Sequence, residues 1–310
     1  MPTVVTHTES FKALGTTIEG GFRAEREIAE KLWSDVHMSI AIFEARFSRF
    51  QEDSELSQLN RSAGRTFTAS QPMMKILQAA QDAFRKTDGL VDPTVGNALI
   101  TAGYDSSFEQ IKDKIDQRPI SEVPHSSLND VRIDFENSTI VIPTGVTLDF
   151  GGIGKGYLLD YLVPMIEAET TDYWLSLGGD LVVSGNDESG HTWTVGVQNP
   201  LAHDQDLAKL QPPSGRWGIA TSGTTKRRGR NWHHLIYPRT GRPVITDTLA
   251  GVVLAPTALE ADTYAKTVLI LGSTEGINWA TNKKGIEALA VTDKLQLVST
   301  TGMRQLLKIL

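Results

Sequence analysis

From residue 171 onward the chain reads as a succession of strands. DYWLSLGGDLVVSG, TWTVGVQ, WGIATSG, HHLIYP and TLAGVVLAP each gather β-branched and aromatic residues between glycine, proline or polar breaks. TALEADTYAKTVLILG interrupts them as a helix, opened by a Ser/Thr-x-x-Glu box at Thr257 and Glu260. EALAVTDKLQLVST reads as a closing hairpin with a short apolar tail behind it. Helices and strands are interspersed without regular βαβ alternation, which favours an α+β fold over a doubly wound parallel sheet.

The first half carries the helices. Across residues 25–47, Ile28, Leu32, Val36, Ile40, Phe43 and Phe47 recur every three or four positions and form one buried stripe. PMMKILQAAQDAFRK reads as a second helix, capped by Ser70 with Pro72 in its first turn. VRIDFENSTIVI reads as two strands around the turn Glu136-Asn137-Ser138. Residues 105–130 and 199–216, polar and proline-bearing, read as surface loops.

Composition narrows the partners. The 310 residues include 37 acidic and 30 basic ones, for a formal net charge of −7. Sequence-wide affinity for nucleic acid is not expected, so an anionic ligand must be held by local groups. There is no cysteine, which excludes disulfides, thiolate metal sites and a lipid-modified N-terminal Cys. No basic region followed by an apolar run opens the chain, and no apolar segment is long enough to span a bilayer. A soluble, cytoplasmic protein without membrane insertion is the expectation.

One stretch concentrates the candidate chemistry. LDFGGIGKGYLLD, residues 148–160, holds four glycines and Lys155 between Asp149 and Asp160. It lacks the Ser or Thr that follows the lysine of a Walker A loop, and the G-x-G-x-x-G spacing of dinucleotide folds. Val146 to Phe150 resemble a strand end, and from Tyr157 apolar pairs recur at helical spacing. Glycines between a strand and a helix start offer unpaired N–H groups and the helix dipole to an anion, with Lys155 adding a point charge. The same pattern also suits a tight turn with Lys155 in solvent. Further on, LSLGGDLVVSG sets a Gly-Gly pair beside Asp180, and IATSGTT offers Thr221 and Ser222 as phosphate contacts. KRRGRNWHH supplies Lys226, Arg227, Arg228 and Arg230 beside His233 and His234, a solvated loop or a grip for a small anion. Asp92, before a proline in TDGLVDPTVG, suits a turn or cap as well as a catalytic group.

Taken in order, FKALGTT, SRFQEDSELSQLN, TDGLVDPTVG, LDFGGIGKGYLLD, SLGGDLVVSG, IATSG, HHLIYPRTGRP and ALEADTYAKTVLILG resemble the blocks of the ApbE-type FAD:protein FMN transferase family, from about Phe11 to Gly272. The resemblance implies one flavin transferase domain over 1–310, with 273–310 as its C-terminal hairpin and tail. Its fold would be T-fold-related, with mixed, largely antiparallel sheets, packed helices and a central flavin cleft. The implied activity moves FMN from FAD onto a threonine or serine hydroxyl of an acceptor protein, releases AMP and uses magnesium. Alternatives are FAD pyrophosphatase activity, giving FMN and AMP, or FAD binding without catalysis.

By the same resemblance Leu14, Phe50, Leu90, Val91, Asp92, Asp149, Lys155 and Ile236 match FAD-contacting positions. His234 matches a histidine that can accept the hydroxyl proton, or it is a structural histidine near a strand end. Lys155, and with it Arg239, would neutralise the diphosphate. The Gly152 carbonyl and Asp262 match magnesium ligands, and the family's third ligand is a Thr four residues after that Asp. Here that position is Lys266, and Thr267 comes one residue late, about a hundred degrees further round a helix. An ammonium cannot ligate magnesium. Lys266 therefore pairs with Asp262 as a fixed cation, marks a degraded site, or reaches for solvent and leaves Asp262 to the metal.

Overall fold

The computed structural model describes residues 3–104, 126–225 and 233–310. The chain groups into two compact units, one from residues 1–41, 155–225 and 246–310, the other from 42–154 and 226–245.

The first unit is built on an eight-stranded sheet whose neighbours follow chain order. Its strands are Val5–Ala13, Thr16–Ala24, Tyr173–Leu177, Asp180–Ser184, Trp217–Gly223, Thr248–Ala255, Glu287–Thr292 and Leu297–Ser299. Every adjacent pair is antiparallel. The first hairpin closes through Leu14 and Gly15 with φ of 54° and 62°. Two consecutive left-handed residues make the turn whose twist matches the strands it joins. Gly178 and Gly179, at 67° and 99°, close the third strand onto the fourth.

Side-chain alternation gives the sheet two apolar faces. On one, Ala220, Val253, Ala288 and Ala290 pack against Ala261, Ala265, Val268 and Ile277 of the helices Ala258–Leu271 and Ser273–Thr281. Alanine on both sides lets helix and sheet approach closely. On the other, Ile219, Val252, Leu254 and Leu289 meet Val197, Ala208, Leu210 and Met303. Those partners come from a smaller sheet of Val195–Asn199, Ala202–Leu210 and Leu307–Ile309, and from the helix Thr301–Leu306.

Several expectations are corrected here. Ala202–Leu210, read as loop, is a nine-residue strand. It was hidden because His203 to Asp206 are exposed and only Ala208 and Leu210 turn inward. The apolar tail is a helix followed by a strand paired to that same segment. HHLIYP yields only the two-residue strand Ile236–Tyr237, paired with Arg242–Pro243.

The second unit holds the helices Glu55–Arg61, Gln71–Lys86 and Gly96–Thr101 and a three-stranded sheet. Ser70 caps the helix Gln71–Lys86 by accepting from the Met73 N–H at 3.3 Å. The Glu55 carboxylate fixes that cap, accepting from the Ser70 N–H and hydroxyl at 2.7 and 2.6 Å. Arg132–Asp134 and Thr139–Val141 pair as expected, with Ser138 left-handed in the turn. Residues 146–150 form no strand; Thr147 makes one isolated bridge to Val95. Among the described residues, no helix is long and apolar enough to cross a membrane.

Candidate functional site

The glycine-rich stretch enters a helix earlier than its sequence suggests. The helix Gly154–Glu167 already includes Lys155 and Gly156. Lys155 is not in solvent: its ammonium pairs with the Asp180 carboxylate, whose side chain is 2% exposed. Asp180 begins its strand directly after the Gly178-Gly179 turn. Alternation turns it away from Leu181 and Val183, towards the helix-covered face.

Gly156 shows what the small residues are for. A Cβ there would stand 2.6 Å from the Ala258 carbonyl oxygen, 2.7 Å from Leu259 Cα and 2.8 Å from Asp262 Cβ. The helices Gly154–Glu167 and Ala258–Leu271 therefore touch nearly backbone to backbone, which only glycine permits. Across this contact the Gly156 N–H donates to Asp262 Oδ2 at 3.1 Å. One turn along, Asp160 accepts from the Ala258 and Leu259 N–H groups at 2.8 and 2.9 Å. Burial raises the Asp160 carboxyl pKa, against the lowering effect of those two bonds. Of the two acids flanking the glycines, Asp160 is thus a cap on a neighbouring helix.

Asp262 is wholly enclosed, and Lys266 closes around it. Its side chain is 0% exposed, that of Lys266 11%, and the ammonium pairs with Asp262 Oδ1. Lys266 Nζ also lies 3.4 Å from the Asp262 carbonyl oxygen. The pair joins positions four apart on one helix face. Thr267 points elsewhere, its hydroxyl donating to the Thr263 carbonyl at 3.0 Å. Thr221 and Ser222 sit on opposite faces of their strand, Thr221 exposed and Ser222 buried, so their side chains do not converge on one phosphate. Leu14, at the left-handed hairpin turn, is half-buried in a conformation that a branched, non-glycine residue seldom adopts.

In the second unit a residue not singled out from sequence gathers several partners around itself. Arg49 is 7% exposed and its guanidinium pairs with Asp149. Its Nη2 donates to the Tyr104 carbonyl at 2.5 Å. The guanidinium lies 4.2 Å from the Phe50 ring centroid and 4.9 Å from that of Tyr104. Phe50 itself is 41% exposed. The other Asp149 oxygen accepts from the Gly151 N–H at 2.6 Å. Arg49 lies within the block SRFQEDSELSQLN, but nothing local announces its role, because the paired aromatics that hold it lie over fifty residues apart in sequence.

Asp92 is turned inward. Its Oδ1 accepts from the Thr94 N–H and hydroxyl at 2.8 and 2.7 Å, and its Oδ2 from the Leu128 N–H at 3.1 Å. Burial raises its pKa. The carboxylate is thus taken up by two backbone N–H groups and the Thr94 hydroxyl, and Leu90 and Val91 beside it are buried apolar side chains. Gly152 lies near Val91, with room for a Cβ at 3.7 Å from Val91 Cγ1. Ile236 packs its side chain against Ala98 and Leu99. His233 Nδ1 accepts from the Leu235 N–H at 3.3 Å, so its other nitrogen carries the hydrogen given to the Val244 carbonyl at 2.9 Å. His234 is half-buried. Lys226, Arg227, Arg228 and Arg230 lie outside the described residues. Among the described residues, no group of three or more His, Asp or Glu side chains is placed to hold a metal ion.

A model of the ApbE family matches residues 14–290. The chain belongs to the ApbE family. Among curated relatives, a FAD:protein FMN transferase of Klebsiella pneumoniae (strain 342) is 27% identical over 79% of this chain and 72% of its own. The FAD:protein FMN transferase of Salmonella typhimurium is 26% identical over 82% and 74%. Among solved structures, the ApbE protein of Thermotoga maritima superposes with a TM-score of 0.84 at 22% identity, covering 97% of this chain and 99% of that one. The flavin transferase ApbE of Vibrio cholerae gives 0.79 at 22% identity, covering 98% and 100%. These structures establish the ApbE fold for this chain, α+β with antiparallel sheets.

Proposed function

We propose that this ApbE-family chain is an FAD:protein FMN transferase, which moves FMN from FAD to a threonine or serine hydroxyl of an acceptor protein and releases AMP. The observation that carries this reading is the match, along about four-fifths of the chain, to relatives that bear that name. In the reaction the acceptor oxygen bonds to the FMN phosphorus, the bond to the AMP oxygen breaks, and the hydroxyl proton passes to a base. His233 has both ring nitrogens committed to backbone, which leaves His234 as the candidate base in that segment. Lys155, steadied by Asp180, supplies fixed positive charge for the diphosphate. The exposed Phe50 ring, backed by Arg49, offers an aromatic face to the flavin nucleotide.

Magnesium does not fit the residues present. Asp262 has one oxygen on an N–H and the other on an ammonium, and the described residues offer no acidic cluster beside it. No step of this reading passes through a metal.

The test is to incubate the purified chain with FAD and the acceptor protein of the Klebsiella or Salmonella relative. Transfer adds the mass of one FMN to the acceptor, and His234→Ala slows it by about 10²–10⁴-fold. Free FMN and AMP with an unchanged acceptor would replace transferase by hydrolase. FAD bound yet intact would make the chain a flavin binder.

A further inference from the structure

We infer that the Lys266 ammonium takes the place of a divalent cation at Asp262, so that this chain binds no such ion there and its flavin chemistry has no divalent-metal requirement. The second clause rests on the proposed transferase reading; the first stands on the geometry alone.

Four observations carry it. Asp262 is the one acid the helix Ala258–Leu271 buries completely, and a buried carboxylate is costly unless it is paired or hydrogen-bonded. That partner is already built into the same helix, one turn on, and is itself nearly enclosed. The second oxygen faces the Gly156 N–H, a donor that repels any cation approaching from that side. Thr267, one residue past the position a full turn on from Asp262, directs its hydroxyl at its own helix backbone. A small divalent cation asks for several oxygen ligands at fixed octahedral positions. The shell of Asp262 provides N–H and ammonium groups instead. A resident cation of this kind is always present, is not lost to chelators and does not vary with cellular metal supply.

The experiment uses the full chain freed of flavin. It is titrated with MnCl2, free Mn2+ being read by electron paramagnetic resonance, and in parallel with MgCl2 while the melting temperature is followed against KCl of matched ionic strength. Wild type is expected to take up no Mn2+ saturably and to melt as in KCl. Lys266→Thr is expected to gain one saturable Mn2+ site and a Mg2+-dependent rise in melting temperature, both removed by adding Asp262→Asn. One-site uptake by wild type that Asp262→Asn abolishes overturns the inference. So does a folded Lys266→Thr protein that takes up no more Mn2+ than wild type. Where Lys266→Thr does not fold, the wild-type titration decides alone. Transfer is then assayed in EDTA and in MgCl2: equal rates support metal independence, and a wild type that needs MgCl2 overturns it. Absence of transfer in both would remove the transferase reading and leave the Mn2+ result standing.

Discussion

At the scale of single residues, candidate charges in each unit are answered by a partner: Lys155 by Asp180 and Asp262 by Lys266 in the first, Asp149 by Arg49 in the second. Lys266 was legible in the sequence because a spacing argument on one helix fixes which residue shares a face with Asp262. Arg49 was not, because its value lies in partners distant along the chain: Asp149, the Tyr104 carbonyl and two aromatic rings. Its planar fork is what those partners use together. Arg49→Ala should therefore destabilise by about 3–5 kcal/mol in urea unfolding, since it strands a carboxylate that is 11% exposed. Arg49→Lys should recover less than half of that loss, because an ammonium cannot both stack and reach two acceptors. Full recovery by lysine would show that charge alone matters at this position.

At the scale of elements, acids from neighbouring segments hold the starts of helices. Asp160 does so for the helix Ala258–Leu271, which also has Thr257 accepting from the Glu260 N–H at 3.1 Å. The capped helix was readable from Thr257 and Glu260; the second clamp was not, because nothing local announces that Asp160 will meet that end. The helix Ser273–Thr281 was missed altogether. It begins at Gly272 without a side-chain cap of its own, and borrows one from Asp247. Asp247 accepts from the Ser273 hydroxyl at 2.5 Å and the Ser273 N–H at 2.8 Å. Those bonds, the hydroxyl first, hold its carboxyl below the ordinary 3.8. A carboxyl with a lower pKa folded than unfolded adds stability above the unfolded value and loses it as pH falls through the folded one. Asp247→Ala should thus cost about 1 kcal/mol at neutral pH. Urea midpoints of variant and wild type should keep that gap down to about pH 4 and converge in stronger acid. A gap that persists or widens in acid would assign the effect to packing.

At the scale of the whole molecule, the eight-stranded sheet keeps its strands in chain order although long segments intervene between the second and third. That ordering follows from hairpin-like antiparallel pairing once intervening chain is packed elsewhere. The strand-rich second half was legible because buried strands carry β-branched residues on at least one face. The first hairpin was not, because Val5–Ala13 is nowhere fully buried and its turn uses leucine where glycine or asparagine is the usual signal. The C-terminal ten residues make the same point. They read as a tail, yet Met303 is fully buried among Leu289, Ala208 and Leu210, and Leu307–Ile309 pairs with Leu210 to Ala208. The Met303 N–H and the Thr300 hydroxyl both give their hydrogens to Glu287. Removing residues 301–310 should therefore cost more than the roughly 2–5 kcal/mol of a buried Met→Ala change, because pairing is lost with the side chain. The expected result is a lower urea midpoint for the shortened chain and new binding of an apolar dye to the uncovered sheet face. An unchanged midpoint would mean that the far face of the sheet is closed without this segment.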